Sequence, residues 1–338
     1  MNKQVSDAGK QVSAFLDTFK HITEEIRKDI VGQDQVVQNM VIALIAGGNV
    51  LLEGVPGTGK TRLVRSIGQA VNLSFSRIQF LPDLMPADVT GTMVMERQPD
   101  GTARFVFQKG PVFANIVLAD EINRATPKTQ SALLEVMQEH TVTVSGENYP
   151  LEEPFFVLAT QNPIEQEGTY ALPEAQIDRF MMKLDMTFPS REALKNIVTL
   201  TEATQEIHAC AVCSRPELLA MRALAVTVPV ADDVMDLAVS LVEATHQEVR
   251  NAPAITKKYL RIGASPRAAQ ALVLAARVHA LARGAYHVSR EDIAEMAYPV
   301  LRHRIRLNFD AVTENRTADE LIEAILKEIQ PKRSFFAR

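Results

Sequence analysis

The sequence predicts an α/β fold, a parallel sheet covered by helices on both faces and interrupted by two β-hairpin insertions, followed by an all-helical domain. Three observations predict it. Short apolar runs alternate with helix-like segments as far as residue 188. Two stretches in that region combine turn residues with strand-like flanks, and after Pro189 the strand signal gives way to helical periodicity rich in Ala, Leu and Glu. With 338 residues, 46% hydrophobic and 23% charged, the chain has material for two cores, since one core stops growing near roughly 250–300 residues. We expect an extension at 1–18, an α/β core at 19–188 and a helical domain at 189–338.

In chain order, Lys20 to Asp29 reads as an amphipathic helix, and Asp34 to Ala46 as a second one after the turn at Gly32. Asn49 to Glu53 (NVLLE) is a buried strand bounded by Gly47, Gly48 and Gly54. Further strands are expected at Ser74–Gln79, Ile116–Ala119, Phe155–Ala159 and Lys183–Met186, with helices at Lys60–Val71 and Pro127–His140. The second of these helices has a readable start, Thr126 as cap and Pro127 at the first helical position. Thr92–Phe107, turning at Pro99-Asp100-Gly101, and Thr141–Phe156, turning near Gly146, read as the hairpins. Beyond Pro189, helices are expected at Arg191–Thr204, Arg215–Val226, Ala231–Val249, Pro266–Leu281 and Arg290–Arg302. The ends, Met1–Val12 and Gln330–Arg338, are expected to be mobile, with Phe335 and Phe336 available to dock.

GVPGTGKT, comprising Gly54, Val55, Pro56, Gly57, Thr58, Gly59, Lys60 and Thr61 and followed by Arg62, matches the full phosphate-binding loop pattern between an apolar strand and a helix. Glycines let the backbone N–H groups turn toward the β- and γ-phosphates of ATP, and the helix N-terminus adds positive potential. Lys60 supplies a mobile charge and Thr61 a hydroxyl for Mg²⁺. A merely flexible glycine turn would not need Lys60 and Thr61 at that offset. A second strand runs into Asp120-Glu121, and adjacent carboxylates at the end of an apolar strand are costly unless a cation or a reacting group uses them. Asp120 is expected to hold Mg²⁺, directly or through water, and Glu121 to activate the attacking water. A solvated helix cap is the plain alternative.

DEINRATPKTQSALLEVMQE (Asp120–Glu139) and ATQNPIEQEGTYALPEAQIDRF (Ala159–Phe180) resemble the signature blocks of the MoxR family of AAA+ ATPases, and the likeness spans nearly the whole chain. The resemblance implies a P-loop AAA+ core with a helical lid, and ATP-driven, chaperone-like remodelling by a ring, usually a hexamer. It also implies partners carrying von Willebrand factor A domains. Carried over by position, Asn162 matches the first sensor, and Arg179 matches an arginine finger that completes a neighbouring subunit's site. Arg267 matches the second sensor of the lid, and Val31-Gly32-Gln33 resembles the segment that contacts adenine. Arg124 is a further candidate for acting across the interface. Read from the residues alone, Asn162 is a loop amide before proline and Arg179 an ion-pair partner of Asp178. Arg267 is a cation at a helix start capped by Ser265 and opened by Pro266, where the dipole disfavours it.

Other functions are less well served. The only Asn-Lys pair is Asn2-Lys3, so no NKxD motif reads guanine. A net charge of −5 and a pI near 5.9 supply no field for phosphate backbones. Thr141–Phe156 carries no Lys or Arg, and in the other hairpin Arg97 and Arg104 are offset by Glu96 and Asp100, which disfavours a DNA motor. The ATPase subunit of a metal-inserting, chelatase-like complex is the runner-up and differs chiefly in client. Cys210 and Cys213 form a lone CxxC near His208, which we read as a helical connector rather than half of a zinc site. The polar start Met1–Lys10 lacks a signal-peptide core, and apolar runs such as Val41–Ala46 are too short to span a bilayer, so a cytoplasmic protein is expected.

Overall fold

The computed structural model describes residues 2–55, 57–99, 102–162, 168–202 and 209–329. Met1, Pro56, the Asp100-Gly101 tip of the first hairpin, Pro163–Glu167, His208 and the Gln330–Arg338 tail with Phe335 and Phe336 lie outside them. Two compact units emerge, one of residues 20–180 and 184–219, the other of 1–19, 181–183 and 220–338. By compactness, then, residues 189–219 group with the α/β unit, although a boundary after Phe188 was expected. Residues 2–12, expected to be mobile, begin a single long helix, α1 (Asn2–Asp29), on which Val12, Phe15, Phe19, Ile22 and Ile26 are buried.

In the α/β unit, α2 (Asp34–Ala46) buries ten of its residues and ends where Gly47 turns left-handed at φ 76°. There the Gly47 and Gly48 N–H groups take up the last carbonyls of the helix, those of Leu44 and Ala43. The chain then runs through β1 (Val50–Gly54), α3 (Lys60–Ala70), β2 (Phe75–Gln79), the short α4 (Pro86–Thr90) and the first hairpin, β3 (Gly91–Arg97) with β4 (Ala103–Lys109). It continues through β5 (Ile116–Asp120), α5 (Pro127–Glu139), the second hairpin, β6 (Thr141–Val144) with β7 (Glu147–Pro150), then β8 (Phe156–Gln161), α6 (Glu174–Ile177), β9 (Met182–Met186) and α7 (Arg191–Glu202). Five strands form one sheet in the order β2-β5-β8-β1-β9. Neighbours β2 and β5, β5 and β8, and β8 and β1 pair in parallel.

Both sheet faces are covered, which is why β5 and β8 are apolar almost without alternation and buried along nearly their full length. Leu133, Leu134, Val136 and Met137 of α5 pack over Val117, Ala119, Val157 and Ala159 in one cluster with Phe80, Phe155 and Phe180. Parallel pairing has a consequence for chemistry. The carboxyl ends of β1, β5 and β8 reach one edge in register, Glu53 beside Gln161 and Ala119 beside Ala159. Open α/β sheets bind ligands at that edge.

The other unit is helical: α8 (Arg215–Thr227, shared with the first), α9 (Asp232–Glu243), α10 (Ala254–Tyr259), α11 (Pro266–Ala282), α12 (Arg290–Leu301), α13 (Phe309–Thr313) and α14 (Ala318–Ile329). It also carries an isolated parallel bridge between Val230 and Val288 and a two-stranded antiparallel pair, β10 (Leu260–Ile262) with β11 (Arg306–Leu307), too short to show in the sequence pattern. The expected helix Ala231–Val249 stops at Glu243, and α14 had no counterpart in the sequence reading. Asp292, 1% exposed at the start of α12, accepts from His279 Nδ1 (2.8 Å), Arg283 Nε (2.8 Å) and the Ser289 N–H (2.7 Å). Burial alone would raise its pKa, but these hydrogen bonds outweigh it and hold the carboxyl well below the usual carboxylate range. No helix among the described residues is long and apolar enough to cross a membrane.

Candidate nucleotide site

The phosphate loop leaves β1 through Gly54, where a Cβ would lie 2.9 Å from the Met186 carbonyl oxygen. Gly57 and Gly59 have φ values of +84° and +90° with open space around them, so backbone conformation rather than room demands glycine there. Lys60 begins α3 and donates from Nζ to the Gly54 carbonyl at 2.6 Å, a bond that holds the ammonium inside the loop. The Thr58 hydroxyl donates to the Val55 carbonyl (3.0 Å), tightening the turn.

Gly57, Gly59, Lys60, Thr61, Arg62, Asp120, Glu121 and Asn162 line one pocket of about 400 Å³. Residues from three separate stretches of sequence therefore meet at one sheet edge. Asn162, 6% exposed, follows β8 directly. Glu121 sits in the left-handed region at φ 57°, a conformation that costs a non-glycine residue about 1 kcal/mol and that turns the chain sharply at the end of β5. Arg62 reaches away to an ion pair with Asp29, which Ser66 shares.

Three side chains that sequence reasoning passed over complete the geometry. The Thr160 hydroxyl donates to Asp120 Oδ1 (2.6 Å) and accepts from the Glu121 N–H (2.9 Å), so a single group ties both acidic residues to the neighbouring strand. Gln79 Nε2 donates to Glu121 Oε2 at 2.9 Å. Arg77 donates to Asp120 Oδ2 from Nη2 (2.6 Å) and Nε (3.1 Å). Thr160 carries a signal, a polar residue directly after an apolar run and two positions before Asn162; Arg77 and Gln79, alternating polar residues in a strand, carry none. Arg124 forms an ion pair with Glu121 within the chain (3.2 Å).

A second, apolar pocket of about 140 Å³ shares Gly57 with the first and is lined by Val31, Gln33, Thr58, Phe188, Pro189, Leu194 and Ile197. Gln33 is anchored by donating to the Thr187 carbonyl at 2.8 Å. Gly32 does not line the pocket, yet it shapes it. At φ +76° a Cβ there would come 2.6 Å from Ala193 Cβ, so only glycine lets this segment meet α7.

Arg179 is not among the residues lining either pocket. Arg179 follows α6 and donates from Nη1 to the Leu134 carbonyl (2.7 Å), beside a cavity of about 310 Å³ lined by Ser131, Glu135, Gln138, Glu139 and Gln176. Arg267 stands exposed in the first turn of α11, where its N–H donates to the Ser265 hydroxyl (3.2 Å). The preceding turn is pinned by Thr245 Oγ1, which accepts from the Ala264 N–H at 2.9 Å, and by His246 Nε2 against the Ala264 carbonyl, also 2.9 Å. Of the CxxC pair, Cys210 is exposed and Cys213 buried, and burial pushes the Cys213 thiol up to about 11.

Residues 49–182 match the model of the ATPase family associated with various cellular activities (AAA), and residues 252–325 match the AAA lid domain. The chain is 42% identical to Chaperone MoxR1 of Mycobacterium tuberculosis over 94% of its own length and 83% of that protein's. It is 30% identical to Protein MoxR of Methylorubrum extorquens, covering 93% of this chain and 95% of the relative. A crystal structure from Cytophaga hutchinsonii, titled as that of a putative ATPase, superposes with a TM-score of 0.89 at 39% identity, over 98% of this chain and 99% of that one.

Proposed function

The chain belongs to the MoxR family of AAA ATPases and is an ATP hydrolase; on that premise we propose that it uses Mg²⁺-ATP to remodel or activate partner proteins as a chaperone-like ring. The observation that carries this reading is the meeting of Lys60, Thr61, Asp120, Glu121 and Asn162 around one pocket at the carboxyl ends of three parallel strands. Thr61 and Asp120 offer few, hard oxygen donors, which suits Mg²⁺, an ion that keeps several waters and shares its ligation with phosphates. When bound, the ion neutralises charge on the β- and γ-phosphates.

In this reading Lys60 leaves the Gly54 carbonyl to meet the phosphates, and the apolar pocket beside Val31 and Gln33 takes the base. Glu121 accepts a proton from the attacking water while Asn162 orients that water. Glu121 is already aimed by Gln79, Thr160 and Arg124, so little reorganisation is needed at the moment of reaction. Arg179 acts on a neighbouring subunit's γ-phosphate and Arg267 reports nucleotide state to the helical domain. The location of Arg179 outside the pocket of its own chain supports action in trans. A hexameric ring working with a von Willebrand factor A domain protein follows from the family rather than from the site.

The test is specific ATPase activity against protein concentration, alone and with Arg179→Ala subunits mixed in. Activity should rise with concentration and fall more steeply than the mutant fraction. Constant specific activity from a monomer would refute the ring mechanism.

A further inference from the structure

Asp120 and Glu121 stand side by side at the end of β5, and each has its own arginine. Arg124 pairs with Glu121 from the next turn of chain, whereas Arg77 reaches Asp120 from β2, the edge strand of the sheet. Register explains the reach: Gln79 lies opposite Asp120 and Arg77 opposite Leu118, and residues 77 and 79 share a strand face. Arg77 Nη2 also donates to Gln79 Oε1 at 2.7 Å, and this links the two arginine–carboxylate pairs through Gln79, which itself holds Glu121.

The direction of approach matters. Asp120 lines the nucleotide pocket and Arg77, which pairs with it at 2.6 Å, does not. Access to the pocket does not depend on Arg77 leaving. Thr160 takes one lone pair of Oδ1 and Arg77 donates twice to Oδ2, which fixes the Asp120 rotamer and leaves the second lone pair of Oδ1 for an ion. Arginine stays protonated throughout, so its charge beside Asp120 is permanent.

We infer that Arg77 is a positioning residue that holds Asp120 in place and, by partly neutralising it, keeps the grip of that carboxylate on a divalent ion loose. This rests on the reading of Asp120 as the metal-holding residue. A loosened grip suits a cycle in which metal and product must leave at every turnover, since release commonly limits such enzymes.

The test is Mn²⁺ binding in the presence of ADP, read by the loss of the free-ion EPR signal, with no turnover involved. Fluorescent ADP binding in EDTA serves as the control for an intact pocket. Arg77→Gln should bind Mn²⁺ roughly tenfold more tightly than wild type, the scale of removing one nearby charge in a partly hydrated site. Arg77→Lys, which keeps the charge without the fork, should stay near the wild-type value. In an Asp120→Asn background Arg77→Gln should make no difference. Unchanged or weaker Mn²⁺ binding in Arg77→Gln, or equal tightening in Arg77→Lys, would overturn the inference while leaving the metal site standing. If Asp120→Asn alone bound Mn²⁺ as wild type does, the metal reading itself would fall, and the role of Arg77 with it.

Discussion

The edge of the sheet at Asp120 and the start of α12 at Asp292 are both buried ionic clusters, and they are built in opposite ways. Asp292 is saturated by His279, Arg283 and Ser289, each of its oxygens accepting two hydrogen bonds. Asp120 is nearly as buried, at 8% against 1%, yet it opens onto a pocket of about 400 Å³, next to a residue with left-handed backbone. Burial of charge is therefore shared by a staple and a site. Unfilled polar volume beside the carboxylate, together with a strained neighbour, is what separates them.

Substitutions on the two sides should divide accordingly. The largest effect is expected for Glu121→Gln, which keeps the volume and removes the carboxylate proposed as the base: turnover should fall by roughly a hundredfold or more, with nucleotide affinity and melting temperature little changed. Stopped turnover together with lost binding would mean that Glu121 builds the pocket rather than acting in it. Asp292→Asn should do the reverse, lowering unfolding free energy by about 3 kcal/mol in urea titrations at pH 7 while activity per folded molecule is retained.

That second difference should also depend on pH. A carboxyl with a depressed folded-state pKa stabilises above its unfolded pKa, near 4, and the contribution is lost as the pH falls toward the folded value. The gap between wild type and Asp292→Asn should thus be full at pH 7 and shrink steadily below about pH 4. A gap independent of pH would assign the effect to packing. A smaller loss of stability than at Asp292 is expected for Gly32→Ala, about 1–2 kcal/mol from a left-handed backbone and a close approach to Ala193, accompanied by weaker ATP binding as α7 is pushed from Val31 and Gln33. Weaker binding with no stability loss would sharpen the assignment of that pocket to the base.

Much of the α/β unit was legible because its signals are local. A strand buried on both faces must be apolar throughout, and the phosphate loop must carry its glycines, Lys60 and Thr61 within a few residues, so β1, β5, β8 and the loop were read to within a residue or two. Among the elements that were missed, α14 does carry a local signal, its buried Leu321, Ile322, Ile325 and Leu326 recurring at helical spacing, whereas the others have no such constraint. The β10–β11 pair involves only five residues, and the end of α9 depends on the hydrogen bonds of Thr245 rather than on composition. Arg77 and Gln79 show no pattern at all without strand register, because residue separation hides the 43-residue step from Arg77 to Asp120.

What the amino-acid sequence determined alone, then, is the set of reactive groups and the strands and helices that carry them, since motif spacing and periodicity are properties of neighbouring residues. The tertiary structure decided which groups share a pocket, which carboxylate each arginine neutralises and on which surface Arg179 stands. Those outcomes depend on strand order and register, and parallel pairing joins residues that are distant in the chain through backbone hydrogen bonds whose choice of partner no local pattern records.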